Sequence, residues 1–253
     1  MVYEDGSIRT LRLGKEFEAG KQSRVDLREP YNLILEYTRL IFAGLLVNDH
    51  PDTILIIGLG GGVIPGAFNK YFPESHIDVV DIDPEVLAVA EKYFLFKPGN
   101  NINAHISDGR EFIGDMIEKG LYSKYDMIIL DAFDSQAIPG HMITVEFLAM
   151  VDKVLKSGGV VVANVLSDNS LFHPILKTYR KVFGRCHVLL GGQAKNAILV
   201  APEKDAPDIE KETITDRLDS LREKHHFNFS IASVARQMRW NFKTERFSKP
   251  LKD

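Results

Sequence analysis

Residues 54–94 read ILIIGLGGGVIPGAFNKYFPESHIDVVDIDPEVLAVAEKYF. An apolar run, Ile54–Ile57, leads into Gly58, Gly60, Gly61 and Gly62. A stretch with helical periodicity follows from Val63 to Tyr71, and a second apolar run ends at Asp81. Strand, glycine turn, helix and strand make one βαβ unit, whose strands lie parallel. Glycines at such a turn let backbone approach a ligand, and the helix start offers unbonded N–H groups. Asp81 ends the second strand about 20 residues past the glycines, where a carboxylate can hold ribose hydroxyls. Two plainer readings stand beside these. A glycine turn can serve tight packing alone, and Asp83 before Pro84 reads first as a helix cap. No lysine follows the glycines at the spacing a triphosphate site requires.

The same alternation continues along the chain. Strand-like runs cover Thr53–Gly58, His76–Asp81, Ile102–Ser107, Tyr125–Asp131, Gly159–Val165, Cys186–Leu190 and Asn196–Ala201. Helical patterns fill Val63–Tyr71, Pro84–Tyr93, Gly109–Lys119, Thr144–Lys156 and Leu171–Phe183. The pattern predicts an α/β fold with a doubly wound, seven-stranded, mostly parallel sheet. The last two runs are separated by a linker too short for a crossover helix, so they should form an antiparallel hairpin at the sheet edge. Residues 1–28 read as a small β element with a hairpin turn near Asp5-Gly6. Residues 30–48 read as a helix. The expected organisation is thus 1–28, a nucleoside-binding catalytic domain over 29–201, and a C-terminal extension over 202–253 with a helix over Ile209–Lys224.

Composition limits the partners. The 253 residues carry a net charge of −4, with 45% hydrophobic and 26% charged residues. That balance supports an ordinary globular core but supplies no basic field for a nucleic acid. The single cysteine, Cys186, allows no internal disulfide and no thiolate cluster, as suits a reducing cytoplasm. The start MVYEDGSIRTLRLG lacks the apolar core of a secretory signal. No run approaches the roughly 20 apolar residues of a membrane span. His141, His225 and His226 do not combine with a third ligand at metal-binding spacing.

Further chemistry collects at the ends of the third, fourth and fifth strands. Asp108-Gly109 in ISDGREF can reach an adenine amino group, or simply cap the next helix. Asp131 and Asp134 in LDAFD lie where open α/β sheets place their ligands. Two carboxylates so spaced suit binding a cationic amine and accepting its proton. Asn164 can line the acceptor side or hold structure.

These sheet-edge elements, in this order, resemble the class I AdoMet-dependent transferase fold. QSRVDLREPYNLILEYTRLIFAGL, GLGGG, VVDIDPEVLAVAEKYF, ISDGREFI, YDMIILDAFD and IPGHMITVEFL resemble, more narrowly, the spermidine synthase-like group of that fold. The resemblance implies that Gln22 and Tyr37 line the site, Asp81 holds the ribose, and Asp134 helps deprotonate the attacking amine beside Asp131. It also implies a homodimer.

The chain departs from that family at three points. Family members read G-G-G-D-G at the glycine turn, and their Asp binds the donor's aminopropyl ammonium; here the position is Gly61. The usual Tyr-His pair is Tyr37-Thr38, and the D-S-[ST]-D-P loop is D-A-F-D-S, with Phe133 inside. A turn of bare N–H donors suits the carboxylate of AdoMet better than the ammonium of decarboxylated AdoMet. The expected activity is therefore methyl transfer from AdoMet to a small amine or polyamine, without metal. Aminopropyl transfer from decarboxylated AdoMet is the alternative, and a non-catalytic nucleoside-binding scaffold a third. On this reading Gly61→Asp should weaken AdoMet and favour the decarboxylated donor.

Overall fold

A computed structural model describes residues 1–12, 21–132, 138–192, 195–207, 211–245 and 248–253. The N-terminal segment forms a three-stranded antiparallel sheet, β1 (Val2–Asp5), β2 (Ile8–Arg12) and β3 (Lys21–Asp26). Asp5 pairs with Ile8 across a turn in which Gly6 takes φ +60°, a conformation that favours glycine. Leu11, Val25 and Phe94 close a small core beneath this sheet.

The large sheet contains β4 (Thr53–Ile57), β5 (His76–Asp81), β6 (Ile102–Ile106), β7 (Tyr125–Leu130), β8 (Leu155–Leu166), β9 (His187–Leu190), β10 (Asn196–Pro202) and β11 (Met238–Arg239). Their order across the sheet is β6-β5-β4-β7-β8-β10-β9-β11. β4 through β8 pair parallel, and the last three pairings are antiparallel. The expected hairpin forms, but not as a plain edge. β10 inserts between β8 and β9, and β11 covers the outer side of β9, making eight strands rather than seven. Two residues, Met238 and Arg239, carry too little pattern to announce a strand; pairing with Leu189 and Val188 creates it.

The helices are α1 (Glu36–Ile41), α2 (Val63–Tyr71), α3 (Pro84–Tyr93), α4 (Gly109–Glu118), α5 (Val145–Val154), α6 (Phe172–Phe183), α7 (Lys211–His225) and α8 (Ile231–Gln237). The helix read over 30–48 is shorter than expected: α1 runs into a 3₁₀ turn over Phe42–Leu46 and starts only at Glu36. The cause lies in where the preceding carbonyls go. Arg39 Nη1 bonds the Leu33 carbonyl at 2.9 Å, and Asn228 Nδ2 bonds that of Tyr31 at 2.8 Å. Those oxygens are therefore satisfied by side chains rather than by helical N–H groups.

Both faces of the sheet are covered, which explains why β4 is an uninterrupted apolar run. Ile54 and Ile56 enter one core, Leu55 and Ile57 the other, and all four are at most 2% exposed. On the first face Phe42 stacks on Phe68 at 4.3 Å between centroids, and Tyr71, Phe227 and Phe229 meet it edge-on. Leu221 and Val234, from α7 and α8, are buried in the same core. Among the described residues no helix is long and apolar enough to cross a membrane.

Candidate active site

The strand order reverses beside β4: the chain leaves toward β5 and β6, then returns to β7 on the other side. Such a switch point opens a crevice at the carboxyl ends of the strands. A cavity of about 740 Å³ lies there. Gly58, Gly60, Asp81, Asp108, Gly109, Asp131 and Asn164 line it, with Gln22 and Tyr37 contributed from the N-terminal side.

The glycine turn is fixed by its neighbours. Gly58 has φ +102°, and a Cβ there would lie 2.4 Å from the Asp131 carbonyl oxygen, so only glycine lets β4 and β7 meet so closely. Gly61 and Gly62 are not on the cavity wall. The Gly61 N–H donates to Ser23 Oγ at 2.8 Å, and the Gly62 N–H to the Leu59 carbonyl at 2.8 Å. A Cβ on Gly61 would stand 2.8 Å from the Phe94 ring and 2.9 Å from Ser23 Cβ. An acid therefore does not fit there without displacing packed atoms, which corrects the expectation that Gly61→Asp would simply switch the donor. It also removes Gly61 from the N–H groups open to a ligand. Among the described residues the Gly60 N–H has no partner.

Asp81 ties two turns together. Its Oδ2 accepts from the Leu59 N–H at 2.8 Å and its Oδ1 from the Asp83 N–H at 3.0 Å. Each carboxylate oxygen retains a lone pair, and the side chain borders the cavity. Asp83 caps α3, accepting from the Glu85 N–H at 2.8 Å. Asp108 likewise caps α4 through the Arg110 N–H at 2.8 Å and the Glu111 N–H at 3.2 Å. Its other oxygen lies 2.9 Å from His141 Nε2. Burial works to raise the Asp108 pKa, but the His141 ring and the two backbone donors outweigh it, and the pKa is lowered. The capping alternative is thus realised, with the capped carboxylate still on the cavity wall.

Asp131 is partly buried and borders the cavity. Burial pushes its carboxyl up to about 7, against the opposing effect of Asn164 Nδ2, which donates to Oδ1 at 2.8 Å. Asn164 Oδ1 in turn accepts from Asn196 Nδ2 at 2.8 Å. The Tyr37 hydroxyl donates to the Gln22 carbonyl at 3.1 Å, and burial first, then the Asp131 charge, keeps it protonated. Asp134 lies outside the described residues.

Arg24, His141 and Asn196 also line the wall, although the sequence alone does not assign them to the site. Ser23 and Arg24 follow Gln22 directly, so alternation along β3 could have placed one toward the glycine turn. Asn196 comes from a strand whose register against β8 no local pattern encodes.

A doubly wound sheet with this strand order and a cavity above its glycine turn is the class I AdoMet-dependent transferase fold. Residues 35–190 match the model of the spermine/spermidine synthase domain, and the chain belongs to that family. It is 43% identical over 189 residues to the polyamine aminopropyltransferase of Vibrio vulnificus, a match covering 73% of this chain and 61% of that protein. It is 30% identical over 171 residues to the human eEF1A lysine and N-terminal methyltransferase, covering 62% of this chain and 24% of that one. The crystal structure of human methyltransferase-like protein 13 in complex with SAH superposes with a TM-score of 0.69 at 25% identity, covering 84% of this chain and 98% of that chain.

Proposed function

We propose that the protein is a transferase that moves a methyl group from AdoMet to an amine. The observation that carries the choice of donor is the sealed position of Gly61: its amide is bonded to Ser23 and a side chain there would meet Phe94. The turn therefore offers no carboxylate to neutralise the ammonium of a decarboxylated donor. The ribose lies against Asp81, the adenine toward Asp108 and Gly109, and the amino-acid end toward Gly60. Gln22 and Tyr37 cover the sulfonium. The amine approaches from the side of Asp131 and Asn164, with Asp134 as a second carboxylate.

The step is a displacement at carbon. The amine nitrogen forms a bond to the methyl carbon, and the carbon–sulfur pair leaves with sulfur as a neutral thioether. The proton lost from nitrogen goes to a carboxylate, for which Asp131, poised near 7, is matched to neutral pH. Alignment of nucleophile and sulfonium supplies the rest.

Aminopropyl transfer from decarboxylated AdoMet to a polyamine is a second reading. It is favoured by the Vibrio relative's name and by Glu36 on the cavity wall, whose carboxylate accepts from the Gly192 N–H at 3.0 and 3.1 Å. Cytoplasmic location and a homodimer, which sedimentation would check, belong to the same proposal.

Parallel calorimetric titrations with the two donors separate the readings. A charged hydrogen bond of about 1.5–3 kcal/mol corresponds to at least a tenfold preference for AdoMet. Tighter binding of the decarboxylated donor restores the second reading.

A further inference from the structure

We propose that Arg24 recognises the carboxylate of the donor, at the glycine-turn end of the cavity. The inference rests on the donor-site reading above and names the group that would select a carboxylated nucleoside. Two described Lys or Arg residues border the cavity, Arg24 and Lys195. Lys195 is already paired, its Nζ lying 2.7 Å from Asp168 Oδ2. The Arg24 side chain has no hydrogen bond or ion pair to a described residue. Its Nε is fully buried and without a hydrogen-bond partner. A guanidinium carries five donors in a planar fork and cannot shed its proton. Leaving such a group half-buried and unpaired costs free energy, and a bidentate carboxylate is the partner whose geometry matches it.

The position of β3 says which end of a donor Arg24 would meet. Ser23 Oγ holds the Gly61 amide at 2.8 Å, and the Gln22 carbonyl accepts from Tyr37 at 3.1 Å. β3 is therefore stitched to the glycine turn and to α1, away from Asp108 at the adenine end. The unbonded Gly60 N–H lies at this same end. Five acids also border the cavity: Glu36, Asp81, Asp83, Asp108 and Asp131. An anionic group is accordingly drawn to the one position where an unpaired cation stands.

The test titrates the parent chain, Arg24→Met and Arg24→Lys with AdoMet, S-adenosylhomocysteine and methylthioadenosine. The last shares the nucleoside and lacks the amino-acid end. Arg24→Met should weaken the two carboxylated ligands by about tenfold or more and leave methylthioadenosine within about twofold. Arg24→Lys should fall between, because it keeps the charge and loses the fork. Equal weakening of all three ligands would assign Arg24 to structure alone and overturn the inference, as would unchanged AdoMet affinity. If Arg24→Met does not fold, the Lys variant decides: parent-like affinity for both carboxylated ligands and methylthioadenosine contradicts bidentate recognition. A parent chain that binds no methylthioadenosine removes the donor site itself, and this inference with it.

Discussion

Asp131 follows β7 directly, with one oxygen accepting from Asn164 at 2.8 Å and its carboxyl pushed up to about 7 by burial. A carboxyl of ordinary value 3.8 that is raised in the folded chain binds a proton the unfolded chain has already released. Between about pH 4 and pH 7 the native state therefore holds more protons, and stability falls as pH rises through that window. Above it the full cost of the buried charge remains, of the order of 2–4 kcal/mol. Asp131→Asn removes the titration. The variant should lose less melting temperature than the parent between pH 5 and pH 8, while its turnover collapses. A parent-like pH slope of stability would show that Asp131 is not the buried acid described. The role of Asn164 is visible only in three dimensions: it links Asp131 to Asn196, 32 residues further along the chain.

At the scale of elements, the glycine turn is held between β3 and α3. Ser23 bonds the Gly61 amide, and the Phe94 ring, just past α3, lies where a Gly61 side chain would go. Gly61→Asp is therefore an overpacking change. It should destabilise the chain by about 1–3 kcal/mol, read as a lower denaturant midpoint with unchanged slope. An unaltered midpoint together with improved binding of the decarboxylated donor would show that the turn has room after all. The elements that were legible in the sequence are those whose own periodicity and caps define them. α2 and α3 fall over Val63–Tyr71 and Pro84–Tyr93, as their apolar spacing and the Asp83-Pro84 start require. β3, β11 and the late start of α1 were not legible, because partners distant in the chain create them. Thr10 with Arg24, Leu189 with Met238, and Asn228 with Tyr31 are such pairings. The same holds within the cavity: Asp81 and Asp131 are marked by strand ends, whereas Arg24 and Asn196 depend on how sheets come together.

Across the whole molecule, two segments frame the sheet without belonging to its βα repeat. The N-terminal sheet packs at the glycine turn, α7 and α8 pack on the face that carries α1 and α2, and β11 closes the sheet edge. Arg217 bonds the Leu46 carbonyl, and His225 Nδ1 lies 2.7 Å from the Tyr71 carbonyl, so the C-terminal helices brace the elements beneath α1 and α2. Membership of the spermine/spermidine synthase family leaves two group transfers open to this architecture, and their by-products differ. Methyl transfer from AdoMet leaves S-adenosylhomocysteine, and aminopropyl transfer leaves methylthioadenosine. The measurement that decides is a competition: the protein, equal amounts of AdoMet and decarboxylated AdoMet, and a polyamine acceptor, with both nucleoside by-products quantified. S-adenosylhomocysteine should be in excess, accumulating with the methylated amine. Methylthioadenosine as the main product, with the amine extended by an aminopropyl group, would contradict it.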